Sequence, residues 1–132
     1  MELRPYLRKA QFYETDGMGI IYHGNYIHWM EEARTDLMDQ IGWSYRRAVE
    51  DISCHYQTMT RFGETMAIET AITKLTPARM ELSYRMTDAE TGALHAAGTS
   101  SHFFYDRNRG RPVALKKALP ELYQLLQSLV QK

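Results

Sequence analysis

The chain has 132 residues, 44% of them apolar and 24% charged, the balance of an ordinary globular protein. That length matches one domain and suffices to bury roughly two-thirds of the unfolded surface, so no disulfide or metal staple is needed. Sixteen Lys and Arg offset sixteen Asp and Glu, and there is one cysteine, Cys54; these counts exclude a global field toward nucleic acid or anionic membrane, a disulfide framework and a multi-cysteine zinc site.

From the first residues onward, residues 1–6 lack the apolar run of a signal peptide, and no later stretch reaches membrane-spanning length. The expectation is one cytoplasmic domain over residues 1–132, without membrane insertion. A strand ending at Asp16 leads into the glycine-containing run Gly17-Met18-Gly19. The clearest helix follows, with Tyr26, Met30, Ala33, Leu37 and Ile41 recurring every three or four residues and Trp29 and Met38 widening the stripe. Gly24 or Asn25 is its expected N-cap and Gly42 its stop. Ser44 is then placed to cap a short second helix to about Asp51.

Beyond it the period changes to two. Met66, Ile68, Thr70 and Ile72 alternate with Ala67, Glu69, Ala71 and Thr73, and Met80, Leu82, Tyr84 and Met86 alternate with Arg79, Glu81, Ser83 and Arg85. Pro77 and residues 88–92 supply turns, and a further strand is predicted over 93–105 with Gly98 as a bulge or close-approach point. Residues 106–110 form the next turn. Leu119, Leu122, Leu125, Leu126 and Leu129 mark a closing helix with Pro120 in its first turn. A long helix beside a mostly antiparallel sheet is an α+β domain, and a sheet covered on one face favours a homodimer. Eight methionines suit a core that adapts around something flexible, or one that is loosely packed.

The densest chemical signal lies in residues 13–26. Asp16 precedes two glycines that allow close backbone approach, and the chain then enters the long helix at His23-Gly24-Asn25. The first helical amides are free donors at the positive end of the dipole. A carboxylate facing them suits acyl transfer, with the amides holding an oxyanion while Asp16 attacks or deprotonates water. Asp16 equally suits a turn cap, and His23 a surface or capping residue. Tyr22 and Tyr26 read as packing groups, and Glu31 and Glu32 as a solvated helix face. His23 and His28 are five apart and off a common face, so no metal site is expected. His55, His95 and His102 read as structural and Cys54 as a core thiol.

Tyr13, Thr15, Asp16, Met18, Gly19, Tyr22, His23, Asn25 and Tyr26, followed by Trp29, Met30, Glu31, Ala33 and Arg34, form a pattern that closely resembles the 4-hydroxybenzoyl-CoA thioesterase-like family of hotdog-fold acyl-CoA thioesterases. The likeness continues through Gly42, Ser44 and Tyr45 to the ending Gly110-Arg111-Pro112-Val113. The resemblance implies a sheet wrapped around the long helix and a dimer with sites at the subunit interface, of a kind that commonly assembles further into tetramers. It implies Asp16 as the catalytic carboxylate, the backbone amide at His23 as the group polarising the thioester carbonyl, and a possible side-chain role for His23. The sequence departs from relatives in one stretch. Where they often read Tyr-x-x-Pro-Ala-Arg-Tyr-Asp-Asp, this chain has Tyr56-Gln57-Thr58-Met59-Thr60-Arg61-Phe62-Gly63-Glu64, in the strand expected after the short helix.

The expected reaction is hydrolysis of an acyl-CoA thioester without a cofactor. Asp16 and His23 are the candidate catalytic residues, with His23 and Gly24 amides as the oxyanion site. Met18, Ile20, Tyr22, Tyr26, Trp29 and Met59 are the candidate acyl pocket. Arg61, Arg107, Arg109, Arg111, Lys116 and Lys117 are candidates for holding the coenzyme A phosphates, the last five also reading as a solvated turn and helix start. No broad basic face with interleaved aromatics accompanies them, so nucleic acid is not an expected partner. Two alternatives stand beside this reading: a hotdog dehydratase or hydratase using His23 with Glu31 or Glu32, and a non-catalytic acyl-CoA or acyl-carrier binding module.

Overall fold

The computed structural model describes residues 2–42, 47–106 and 108–131. Strand β1 (Tyr6–Lys9) leads through a single helical turn at Phe12–Glu14 to the long helix α1 (Gly24–Ile41). Then follow β2 (Arg47–Tyr56), β3 (Thr65–Leu75), β4 (Arg79–Asp88), β5 (Leu94–Asp106), β6 (Arg111–Pro112), α2 (Leu115–Ala118) and α3 (Pro120–Leu129). The strands pair antiparallel in the order β1-β3-β4-β5-β2, with β6 added to the end of β5. This is the α+β arrangement that the periodicities predict. No helix among the described residues is long and apolar enough to cross a membrane.

The core lies between α1 and one face of the sheet. Tyr26, Trp29, Met30, Ala33, Leu37, Met38 and Ile41 of the helix meet Met66, Ile68 and Ile72 of β3 and Met80, Leu82, Tyr84 and Met86 of β4, all buried. Five of the eight methionines, Met30, Met38, Met66, Met80 and Met86, are therefore core residues. Helix α3 closes the far side with Leu122 and Leu126, and the Gln131 amide donates to the Ile72 carbonyl at 2.8 Å. Gly42 stops α1 at φ 76°, a conformation that favours glycine. A polar thread also crosses the core: Arg34 Nη1 donates to the Tyr84 hydroxyl at 3.1 Å, and that hydroxyl shares a bond with Ser100.

Several local expectations are corrected. The first strand ends at Lys9, not Asp16, because the Glu14 side chain accepts the Gln11 amide and folds the chain into a helical turn. The residue at the helix entry is His23 rather than Gly24 or Asn25, and no side chain caps it. The short helix expected from Ser44 to about Asp51 is replaced by strand over the part that is described. Ser44 lies outside the described residues, and residues 47–51 belong to β2, paired with β5 from Arg47↔Phe104 to Tyr56↔Ala96. Those ladder bonds outweigh a local capping signal. Residues 57–64, expected in a strand, form a loop tied to the start of β5 by the Gln57 and Thr58 amides, which both donate to the His95 carbonyl.

Gly98 is a close-approach point rather than a bulge. A Cβ there would lie 2.7 Å from the Ser53 carbonyl oxygen and 2.8 Å from Met30 Cε. The methionine can yield, but the β2 backbone cannot without leaving its ladder. Gly98→Ala is expected to destabilise the fold by about 1–3 kcal/mol, read as a lower urea midpoint at unchanged slope.

Candidate active site

Asp16 sits at the tip of a small hairpin that the sequence makes by folding back on itself. Thr15 bridges Ile21, the Asp16 amide donates to the Ile20 carbonyl at 3.0 Å, and the Tyr22 amide donates to the Glu14 carbonyl at 2.9 Å. The reversal passes through Gly17 and Gly19 at φ 92° and 78°, where a side chain would be strained. One Asp16 oxygen, Oδ1, accepts the Met18 amide at 3.1 Å, the turn-capping role. The residue remains exposed, and Oδ2 has no partner among the described residues. Turn cap and reactive carboxylate are thus compatible roles of one side chain.

The returning arm of the hairpin runs directly into α1. The Asn25 and Tyr26 amides are taken by the Tyr22 and His23 carbonyls. The His23 and Gly24 amides find no acceptor among the described residues, and they stand at the positive end of an 18-residue helix. Tyr56 donates its hydroxyl to the His23 carbonyl at 3.1 Å, and the His23 ring lies 4.4 Å from that of Tyr22.

Two buried anchors hold this frame. On one side the Glu14 carboxylate, 4% exposed, accepts Arg8 Nη1 and Nη2, the Gln11 amide and Trp29 Nε1, all between 2.9 and 3.1 Å. Arg8 Nε donates in turn to Glu32, and pairing with these carboxylates raises the guanidinium's pKa against the opposing effect of burial. On the other side the Thr60 carbonyl accepts the Ile21 amide at 2.8 Å, while Thr60 Oγ1 bonds the Tyr26 hydroxyl and His95 Nδ1, each at 2.9 Å. His95 also lies with Asp88 and Glu64 in a set whose ligand atoms fall within 4.8 Å of one another. Each has a structural use: Asp88 Oδ1 accepts the Glu90 and Thr91 amides, which lower its pKa, and Glu64 accepts the Arg61 amide.

Around Asp16 the surface is apolar. Tyr13 and Met18 are 78% and 77% exposed, and Phe12, Tyr22, Tyr56, Met59 and Phe62 are also exposed. Scattered exposed hydrophobics are ordinary, but Phe12, Tyr13, Met18 and Tyr22 all fall within six residues of one exposed carboxylate, which points to an interaction surface.

A family description, the thioesterase-like superfamily, matches residues 10–124. The chain belongs to the thioesterase-like superfamily. YneP of Bacillus subtilis, named as a candidate acyl-CoA thioesterase, is 32% identical over 121 residues, covering 86% of this chain and 87% of that one. The acyl-CoA thioester hydrolase YbgC of Escherichia coli is 24% identical over 97 residues, 67% of this chain and 72% of that one. Among solved structures, a DHNA-CoA thioesterase from Staphylococcus aureus superposes with a TM-score of 0.87 at 28% identity, covering 96% of this chain and 91% of that one. The fold is the hotdog arrangement that the sequence resemblance implies.

Within this thioesterase domain the structure brings Asp16, Met18, Ile20, Tyr22, His23 and Gly24 together, and Met59 and Arg61 join them through the Ile20–Arg61 bridge. Trp29 and Tyr26, expected in the pocket, are core instead. Trp29 is fully buried on Glu14, and Tyr26 points its hydroxyl at Thr60. The basic cluster is elsewhere. Arg109 and Arg111 follow the far end of β5 at Asp106, eleven residues and about 36 Å along the strand from His95. Lys116 and Lys117 lie on α2, Arg109 is 3.7 Å from Asp106, and Arg107 is outside the described residues. Glu32, read as a solvated face, is engaged by Arg8 and Tyr6, and Glu31 is exposed, so neither is poised against His23 as a dehydratase acid. Cys54, expected as a core thiol, is half-buried against the edge of the core, and that burial pushes its thiol pKa up.

Glu14 escaped the sequence reading, and Asn25 was read only as a helix cap and motif residue. Both stood inside the motif, but their partners are 6 to 15 residues away and on different elements. Glu14→Ala leaves Arg8 and Trp29 without their acceptor in a nearly dry site. A loss of about 3 kcal/mol is expected by chemical denaturation.

Proposed function

We propose that this thioesterase hydrolyses acyl-CoA thioesters at the hairpin tip, with Asp16 attacking the carbonyl carbon or activating water to do so. The observation that carries the proposal is the pair of unmet amides at His23 and Gly24, on the same hairpin as an exposed carboxylate with a free oxygen. The thioester oxygen gains charge as the carbonyl becomes tetrahedral, and two amides at a helix start stabilise that charge without reorganising. The coenzyme A thiolate leaves, the products are a carboxylate and coenzyme A, and no cofactor takes part. The thioester substrate of the relatives supports the same chemistry here.

The site is completed by a second copy of the chain. The exposed apolar rim around Asp16 supports this, as does β2, a ten-residue edge strand with no further strand beyond it among the described residues. In a two-fold dimer joined along β2 the edge strands run antiparallel, so the β5 end carrying Arg109 and Arg111 lies toward the partner's helix start. The phosphates of coenzyme A would then be held across the interface, with Arg61 of the near protomer at the rim. A tetramer would pair two such dimers, and the working compartment is the cytoplasm. The acyl group rests on Met18, Ile20, Tyr22 and Met59, a flexible lining that suits short to medium aliphatic chains. The exposed rings of Tyr13 and Tyr22 favour a second reading, an aryl acyl group stacked between them.

Free-thiol release on a panel of aliphatic and aryl CoA thioesters tests the activity. Asp16→Asn is expected to lower kcat by several orders of magnitude with binding retained, because the amide can neither attack nor accept a proton strongly. Retention of a tenth or so of wild-type turnover would remove Asp16 from that role. Sedimentation is expected to show a dimer or a tetramer, and a fully active monomer would refute the shared site.

A further inference from the structure

We propose that Asn25 is a positioning residue for this reaction, holding the hairpin that carries Asp16 against the helix that offers the free amides; the inference rests on the thioesterase reading above. Its Nδ2 donates to the Glu14 carbonyl at 2.9 Å, and the same carbonyl accepts the Tyr22 amide at 2.9 Å. Both acceptor positions of one carbonyl oxygen are therefore used to join the outgoing arm of the hairpin to the returning arm and to the first turn of α1. Glu14 cannot drift, because its own carboxylate is held by Arg8, Gln11 and Trp29. Two residues beyond Glu14 lies Asp16. One residue before Asn25 lies Gly24, whose amide is free.

The side-chain choice is narrow. Serine is too short to span from the helix to that carbonyl, and aspartate would set an ionised oxygen against another acceptor. Asparagine supplies a donor of the right length, with no charge beside Asp16. Asn25 itself need not touch substrate. Its effect is on geometry, and misplacement of reacting groups by about 1 Å costs on the order of 100-fold in rate.

The test is Asn25→Ala, assayed by thiol release and by residue-resolved amide hydrogen exchange. The expected result is a fall in kcat of about 100-fold with KM unchanged. The Asp16 and Tyr22 amides should lose about tenfold in protection, the worth of one hydrogen bond, while the Ile21 amide on the Thr60 carbonyl keeps its own. Wild-type kcat, a rise in KM alone, or a loss matched by the unfolded fraction would overturn the proposal. If the wild-type chain releases no thiol from any thioester, the thioesterase reading falls, and exchange alone judges the clamp. Unchanged protection at Tyr22 then refutes it, and lost protection sustains it.

Discussion

A carboxylate taken almost wholly out of water needs donors on both oxygens, and Glu14 can find them only if three separate segments converge. Arg8 comes from β1, the Gln11 amide from the turn, and Trp29 from the buried face of α1. Hydrogen bonds to charged groups contribute about 1.5–3 kcal/mol each, and an unmet buried charge costs more than that. The segment before Asp16 is thereby fixed to the helix before any glycine is reached. Gly17 and Gly19 then need supply only the reversal, and Thr15, Asp16 and Tyr22 close it with backbone bonds. Rigid placement of Asp16 thus comes from a neighbour two residues away that does no chemistry itself.

The Thr60 anchor works on the other arm with different means. Tyr26, His95 and Thr60 form a buried hydrogen-bonded chain that ties α1 to β5 and lets the Thr60 carbonyl take the Ile21 amide. A hairpin pinned from both sides can remain exposed without fraying. Its exposure is nonetheless costly for chemistry, since dipoles aimed at an oxyanion act far more strongly where water is excluded. The apolar rim of Tyr13, Met18, Tyr22 and Met59 is the means by which a covering surface would dry the site.

The elements that repeat a period over many residues were legible in the sequence. The helix over Gly24–Ile41, the alternation in β3 and β4, the long β5 and the Pro120-led closing helix follow from side chains that each bury the same face. Residues 47–51 were misread because Ser44 offered a local helix signal, whereas the strand is decided by the open edge of β5. The catalytic candidate and the helix entry were visible as a motif. Their anchors were not, since Glu14, Arg8 and Thr60 are polar residues whose partners are set by topology and not by spacing. Trp29 and Tyr26 were misplaced for the same reason: closeness in sequence does not decide whether an aromatic faces the ligand or the core, and their polar tips found Glu14 and Thr60.

Topology also separates two features that composition alone would merge. The hairpin of Asp16 is tied to the start of β5 through Thr60 and His95, whereas the Arg109 and Arg111 hairpin hangs from its end. A strand of thirteen residues stands between them, longer than the reach of any side chain. One protomer therefore carries the proposed carbonyl-activating half of the site at one end of the sheet and a phosphate-suited charge cluster at the other. Only an arrangement that reverses strand direction between copies brings such ends together, and two-fold symmetry does so for every pair of equal edges. The same antiparallel logic that builds the sheet within the chain would then build the substrate groove between chains.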